Sequence, residues 1–339
     1  MAKDSSTSGD DIIAEPRTRA AHTPLRLLVA WQPGPGGDEA ISTAAWLART
    51  LLVRVRAVSM ILRLWPATSI SKLGSGYDDW LADETKTYSR KVRKAFAEAG
   101  IDKAQWDNEV AVVTDGPSES ALLTEAAEDF DADLLIVGSH TAAPKGRFLT
   151  GTTSDALLHS STTPLMLAPR AVKLSKRGIT RVNVAYLAPF DDADYSHQES
   201  QSNQALYFGG ELAARLGVNL RLTAFSPTGL SENFPDDRID FTRQLSDEWG
   251  EQALSVLDRA RDMIVDHLPD LKVDTALGSG AGWSGAIDAL KWKKGDLLTF
   301  GSTQSGPIER VFVGSTAAQF MQHVPVPVVV HPSPADSWY

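Results

Sequence analysis

The stretch Asp133-Leu-Leu-Ile-Val-Gly-Ser139 is an apolar run that ends in glycine and serine, and it returns later as Asp296-Leu-Leu-Thr-Phe-Gly-Ser302. Two further segments return in the same order: Gly151-Thr-Thr153 as Gly314-Ser-Thr316, and Pro164-Leu-Met-Leu-Ala-Pro169 as Pro327-Val-Val-Val-His-Pro332. Each of the three segments lies 163 residues before its copy. Solenoid repeats have periods of about 20–50 residues. A period this long therefore indicates a duplicated domain.

The composition narrows the class of protein. A length of 339 residues agrees with two domains of roughly 100–200 residues each. The net charge of −10 argues against a nucleic-acid-binding surface, where Lys and Arg cluster, and the absence of cysteine excludes disulfides and thiolate metal sites. No apolar run reaches the roughly 18 residues that a membrane span needs. We expect a cytoplasmic protein that binds neither nucleic acid nor membrane.

Short apolar runs alternate with helical patterns through both halves of the chain, beginning with the run Leu25–Ala30 and the loop Pro33–Gly37. Five strands and four helices are predicted in each half. Such alternation favours a parallel sheet with helices on both faces and a ligand crevice at the carboxyl ends of the strands. The predicted fold class is α/β, with two tandem doubly wound five-stranded parallel-sheet domains.

The predicted domains span residues 24–172 and 178–333. Residues 1–23 are poor in apolar side chains and are predicted to be a disordered tail, and residues 334–339 form a C-terminal tail. Two shorter helices are predicted over Ser118–Phe130 and Ser284–Lys291.

Two long helices are predicted to pack a stripe of apolar side chains into the core. The first stripe repeats every four residues and consists of Tyr88, Val92 and Phe96. The second consists of Leu245, Trp249, Ala253, Val256 and Ala260. Gly100 is predicted to end the first of these helices as its C-cap.

The two glycine loops give the chain its resemblance to a known family. Gly138-Ser-His-Thr141 is followed by nine residues and Gly151-Thr152, and Gly301-Ser-Thr-Gln304 by nine residues and Gly314-Ser315. The chain thus resembles a tandem universal stress protein, built on the adenine-nucleotide α-hydrolase-like fold. Nucleotide-binding members of that family carry Gly-x-x-Gly, nine residues, then Gly followed by Ser or Thr.

The motif has a clear physical logic. Gly138 and Gly301 lack a Cβ, so a ribose or phosphate can approach the strand end closely. The second glycine of each loop begins a helix whose free N–H groups attract an anion. The predicted phosphate contacts are the helix-start residues Gly151, Thr152, Thr153, Gly314, Ser315 and Thr316, supplemented by Lys145, Arg147 and Arg310. The same glycines would also occur at a simple strand-to-helix turn.

Both copies depart from the family pattern. The second family glycine is replaced by Thr141 and Gln304, whose side chains would lie where the ligand approaches. The Asp that usually ends the first strand is replaced by Gln32 and Leu187. These departures predict degenerate pockets. The first copy is favoured for ATP or AMP, because Thr141 is smaller than Gln304 and the first loop is more basic.

The resemblance implies a non-catalytic stress-response protein. We also expect no bound metal, because the seven histidines show no metal-ligand spacing. Two alternatives remain open. One is a protein–protein interaction scaffold with vestigial pockets, and the other is a very slow ATP hydrolase, for which no nucleophile–base constellation is visible.

The last predicted strand of each half, Leu165–Ala168 and Val328–His331, is short and apolar and should lie at the edge of its sheet. Bare sheet edges invite pairing. Members of the resembled family dimerise through this strand, which implies that the two domains pair with each other through it. The protein partners are unknown, and a homodimer of whole chains remains open.

Overall fold

The structure is a computed structural model that describes residues 23–34, 37–63, 75–187, 195–227, 239–301 and 315–331. Almost all of the predicted N-terminal tail and all of the predicted C-terminal tail lie outside these ranges.

Strands and helices alternate through both halves, as the sequence predicts. The elements of the first half are β1 Leu25–Ala30, α1 Glu39–Leu47, β2 Val53–Leu62, α2 Ser75–Ala99, β3 Trp106–Gly116, α3 Glu119–Asp129, β4 Leu134–Gly138, α4 Thr152–Ser160 and β5 Leu165–Ala168. Those of the second half are β6 Arg181–Leu187, α5 Tyr195–Leu216, β7 Asn219–Pro227, α6 Ile239–His267, β8 Val273–Gly280, α7 Gly282–Asp288, β9 Asp296–Gly301, α8 Ser315–Met321 and β10 Val328–His331.

The strands form one ten-stranded sheet in the order β3-β2-β1-β4-β5-β10-β9-β6-β7-β8. Within each half all neighbouring strands are parallel. The predicted fold class of two doubly wound parallel sheets is therefore confirmed. In each half the strand order reverses beside the first strand, between β1 and β4 and between β6 and β9, which is where such folds bind ligands.

The two half-sheets meet at β5 and β10, which pair antiparallel. Val329 faces Met166 in the register, between the pairs Val328–Leu167 and Val330–Leu165. All six side chains are at most 3% exposed. Each strand is an edge of its own half-sheet and an interior strand of the ten-stranded sheet.

The segment between β5 and β6 is fixed to both halves. Arg49 donates through Nη1 to the carbonyl oxygen of Ser175 at 2.8 Å, and Ser175 N donates to the carbonyl oxygen of Lys294 at 2.9 Å. Gly178 has a φ of +74°, and a Cβ there would lie 2.5 Å from Thr50 Cγ2. This connection is therefore an ordered turn in which only glycine fits at 178.

The predicted core stripe of α2 is confirmed, because Tyr88, Val92 and Phe96 are at most 5% exposed. Gly100 follows the helix with a φ of +83°, and Ile101 N donates to the carbonyl oxygen of Phe96 at 2.9 Å. This is the left-handed C-cap that the sequence predicts.

In α6, Ala253 and Ala260 are buried and Trp249 and Val256 pack partly against the same core. The side chain of Leu245 lies outside the described residues.

The predicted helix Ser284–Lys291 is wrong at both ends, since α7 runs from Gly282 to Asp288. Its early end has a local cause. The indole Nε1 of Trp292 donates to the carbonyl oxygen of Ile287 at 2.9 Å, which folds the following segment back onto the last turn.

A buried ionic cluster lies at the amino end of the second half-sheet. Asp296 is fully buried and accepts from Arg181 Nε at 3.0 Å, Arg181 Nη2 at 2.5 Å and Lys293 N at 2.9 Å. Arg221 donates through Nε to Asn183 Oδ1 at 2.7 Å, and its guanidinium lies 5.0 Å from the centre of the Trp292 ring. Burial and the neighbouring Arg181 lower the pKa of Arg221 to about 10. The cluster thus concentrates two cations around one buried carboxylate.

Candidate functional site

The loop between β4 and α4 is closed by its own backbone. His140 N donates to the carbonyl oxygen of Leu149 at 2.9 Å, and Leu149 N donates to Ser139 Oγ at the same distance. Phe148 is 2% exposed and packs into the core beneath the loop. The two arms of the loop are therefore held side by side at the carboxyl end of β4.

Arg170, which follows β5, fixes the tip of this loop. Gly146 N donates to the carbonyl oxygen of Arg170 at 2.6 Å, and Arg170 N donates to that of Arg147 at 2.9 Å. The Arg170 side chain donates through Nη1 to the carbonyl oxygen of Ala143 at 2.8 Å. Because the loop is tied to β5 as well as β4, ligand binding at its start would not need to order it.

Helix α4 begins with a cap made by its own serine. Ser154 Oγ accepts from Gly151 N at 2.8 Å and donates to the carbonyl oxygen of Gly151 at 3.1 Å. The hydroxyl of Thr152 is not needed for this cap, and its side chain is exposed. The first N–H groups of a helix have no carbonyl partner within the helix, so the start of α4 keeps donors that face the end of β4.

The two predicted glycines are not required by the fold. A Cβ at Gly138 would lie 3.8 Å from the carbonyl oxygen of Gly37, and one at Gly151 would lie 3.5 Å from His140 Cδ2. Both distances are ordinary van der Waals contacts, and neither glycine has a positive φ. Within the described residues, an alanine at either position would therefore make only ordinary contacts.

Thr141 is exposed at the start of the loop, beside His140. His140 accepts through Nδ1 from Ala142 N at 3.2 Å. The imidazole is thus engaged with its own loop.

The basic residues of the loop do not point to the start of α4 as the sequence suggests. Arg147 Nη2 lies 3.9 Å from Asp288 Oδ1, on helix α7 of the second half, and Lys145 is exposed. An acidic residue contacts the start of α4 instead. Thr153 Oγ1 donates to Glu119 Oε2, in the first turn of α3. The preference of phosphate for the first loop stays a prediction.

The end of β1 carries an aromatic and a carboxylate that sequence reasoning missed. Trp31 donates through its indole to Asp38 Oδ1 at 3.1 Å, and Tyr88 donates its hydroxyl to the carbonyl oxygen of Trp31 at 2.7 Å. Gln32 is exposed and donates through Nε2 to the carbonyl oxygen of Met60 at 3.0 Å. Asp38 and Glu119 resemble ordinary acids at helix starts, so no sequence signal distinguishes them as site residues.

In the second half, Gly301 ends β9 and pairs with His331 of β10, while Leu187 ends β6. Gln304 and Gly314 lie outside the described residues, and Ser315 begins α8, followed by the partly buried Thr316. The structure therefore describes only the two ends of the second glycine loop.

Three buried polar atoms near this end of the second half-sheet have no hydrogen-bond partner among the described residues: Tyr186 hydroxyl, Thr299 Oγ1 and His331 Nε2. The equivalent residues of the first half are Trp31, Ile136 and Ala168. The two halves thus differ in polarity at these three positions of the sheet.

His331 is expected to make folding stability depend on pH. Burial lowers the pKa of its imidazole from 6.5 to about 4. The unfolded chain therefore binds the proton first as the pH falls below 6.5, and stability is lost between pH 6.5 and 4. At pH 4.5 the loss is about 2.5 kcal/mol relative to pH 7.5. Urea unfolding of wild type and His331→Met at both pH values measures it, and His159→Met on α4 is the control. Equal pH dependence in wild type and His331→Met would contradict the expectation.

The described residues offer neither a cluster of metal ligands nor a membrane-spanning helix. They contain no group of three or more His, Asp or Glu side chains suited to hold a metal ion. They also contain no helix long and apolar enough to cross a membrane.

Comparison with known proteins agrees with the fold and the repeat. The universal stress protein family model matches residues 25–169 and again residues 188–332. A universal stress protein of Mycobacterium tuberculosis is 26% identical over 315 residues, which cover 91% of this chain and 100% of that protein.

Solved structures are similar in fold. A universal stress protein from Archaeoglobus fulgidus has a TM-score of 0.56 at 16% identity, covering 91% of this chain and 98% of that one. A further solved chain, from Pseudomonas aeruginosa, has a TM-score of 0.52 at 13% identity, covering 92% and 94%.

Proposed function

Because the chain belongs to the universal stress protein family, we propose that it is a non-catalytic stress-response protein whose first domain binds an adenine nucleotide, ATP or AMP. The nucleotide would lie at the carboxyl ends of β1 and β4, with a phosphate at the start of α4. The residues assigned to it are Gly138, Thr141, Gly151, Thr152 and Thr153.

The observation that carries this proposal is the unexplained pair of glycines. Neither Gly138 nor Gly151 has a positive φ, and a Cβ at either would make only ordinary contacts with the described residues. A ligand that approaches the backbone closely explains why glycine occupies both positions, and the packing of the fold does not explain it. The N–H groups at the start of α4 supply the matching attraction for an anion.

Binding at this site should be weak. Thr141 adds a side chain at the loop where the family pattern has glycine, and Gln32 offers an amide where that pattern has a carboxylate. Asp38 does not replace the missing carboxylate directly, because it already accepts the hydrogen bond of the Trp31 indole. The proposed pocket is therefore degenerate, with weak affinity for the nucleotide.

The protein is proposed to be non-catalytic because the described part of the loop offers no activated nucleophile. A nucleophile needs an adjacent base within hydrogen-bond reach. The only imidazole in the loop, His140, accepts a hydrogen bond from the backbone of Ala142 instead.

One contact favours the alternative function of an interaction scaffold. Arg147, a basic residue of the loop, is 3.9 Å from Asp288 in the other half of the molecule. If this ion pair persists in solution, the loop serves the contact between the halves. The proposed function includes the pairing of the two domains with each other through β5 and β10.

Restoring the family pattern should raise ATP affinity. Thr141→Gly with Gln32→Asp in the first domain is expected to tighten ATP binding about tenfold, equivalent to about 1.4 kcal/mol, by relieving a clash and adding one polar contact. Calorimetric titration of wild type and variant measures the change. Gln304→Gly with Leu187→Asp is the matched change in the second domain, where we expect weaker binding throughout. Two low-micromolar sites in wild type would contradict a degenerate pocket, and no binding in any variant would favour the scaffold.

A further inference from the structure

We propose that Glu119 tunes the specificity of the first domain: it weakens phosphate binding at the start of α4 and so favours adenine ligands that carry few phosphates. This inference rests on the proposed function, because it concerns the same site.

The geometry places a negative charge where the anion would bind. Glu119 Oε2 accepts the hydroxyl hydrogen bond of Thr153, the second residue of α4. A phosphate at this helix start would need the same hydroxyl and the same surrounding space. It would therefore have to displace a carboxylate or lie next to it.

This carboxylate lies in the first turn of α3 and has no cationic side chain beside it among the described residues. No described Lys, Arg or His forms an ion pair with Glu119, and its Oε2 accepts the Thr153 hydroxyl. Arg147 is directed to Asp288, and Lys145 is exposed. A phosphate bound here would meet a repulsion that solvent screens only in part, because Glu119 is partly buried, and that grows with each added negative charge.

The second half provides an internal comparison. Ser118 and Ala281 are the N-caps of α3 and α7, so Glu119 corresponds to Gly282. The first turn of α7 carries no acidic residue. The carboxylate is thus a feature of the first domain and not of the repeated fold.

The selectivity follows from charge and not from shape. Adenosine has no phosphate to place at α4, AMP has one, and ATP has three. We expect wild-type affinity to fall in the order adenosine, AMP, ATP when no divalent cation is present. Replacing the carboxylate by its neutral isostere should remove most of this discrimination.

The test uses the full chain and the variant Glu119→Gln. Glutamine can still accept the Thr153 hydroxyl, so the fold should be retained, and a melting curve checks this. Glu125→Gln is the matched control, because Glu125 is exposed on the same helix and its replacement changes net charge equally.

The first readout is inorganic phosphate binding, followed by the backbone amide resonances of Gly151, Thr152 and Thr153. We expect Glu119→Gln to bind phosphate at least tenfold more tightly than wild type, and Glu125→Gln to be unchanged. Equal phosphate affinity in wild type and Glu119→Gln would overturn the inference, and so would an equal gain in Glu125→Gln.

The second readout compares adenosine, AMP and ATP by calorimetry in EDTA. We expect Glu119→Gln to gain at least tenfold for ATP and less than threefold for adenosine. A uniform gain for all three ligands would overturn the inference. If no form of the protein binds any of the three, the proposed nucleotide function fails while the phosphate readout still decides the role of Glu119.

Discussion

A chain with Val329→Lys is expected to lose the continuous ten-stranded sheet and either extend, with its halves separated, or aggregate. Val329 is fully buried and faces Met166 across the antiparallel pair of β10 and β5. A lysine there would bury an unpaired ammonium and expose two unpaired strand edges. The cost should exceed about 4 kcal/mol, which is exceptional for one substitution. Small-angle scattering and urea unfolding measure both effects.

The control must separate the junction from general damage to the core. Met166→Glu places an opposite charge directly across from the lysine, and cross-strand partners interact strongly at that separation. The double variant Val329→Lys with Met166→Glu should therefore recover part of the lost stability. Val55→Glu, equally buried in β2 but four strands from β10, should recover none. If both double variants behave alike, β5 and β10 do not form the junction in solution.

The second large effect is expected from Asp296→Asn. This change keeps the side-chain volume but removes the buried carboxylate that pairs with Arg181 and whose charge also favours the protonated form of Arg221. Removing one partner of a buried ion pair costs about 3–5 kcal/mol, because a buried charge is left uncompensated. Urea unfolding monitored by circular dichroism measures the loss.

A surface pair provides the comparison for Asp296. Asp258 lies 3.2 Å from Arg261 on α6, and both side chains are about half exposed. Asp258→Asn should cost less than about 1 kcal/mol, because water screens exposed pairs. A cost for Asp296→Asn as small as that of the surface pair would show that the cluster is not a source of stability.

The fold could be predicted because its signals are local and occur twice. The apolar stripe at Tyr88, Val92 and Phe96 has the period of a buried helix, and Gly100 marks the end of that helix. Both features depend on residues that are close in sequence. Because the domain is duplicated, the helices and strands predicted in one half could also be predicted at the equivalent positions of the other half.

The ends of elements and the details of the site depend on individual side-chain contacts that propensity and motif spacing do not encode. Helix α7 stops at Asp288 because the Trp292 indole caps Ile287, and propensity alone does not encode that hydrogen bond. The charge balance at α4 is set by Glu119 and Arg147, which lie 34 and 6 residues from Thr153 in sequence. Counting basic residues within the loop could not show that Arg147 turns away and Glu119 turns in.

The ordered connection between β5 and β6 has a consequence for how the two halves can differ. A dimer of identical chains must present each substitution at both of its sites. Here a short covalent link joins the two halves and is fixed by Arg49, Ser175 and Lys294. The halves differ at equivalent positions, with Glu119 in the first and Gly282 in the second. Intramolecular pairing does not weaken on dilution, so neither half has to conserve a surface for finding its partner. The two halves can therefore diverge in sequence independently of each other, as they do at Glu119 and Gly282.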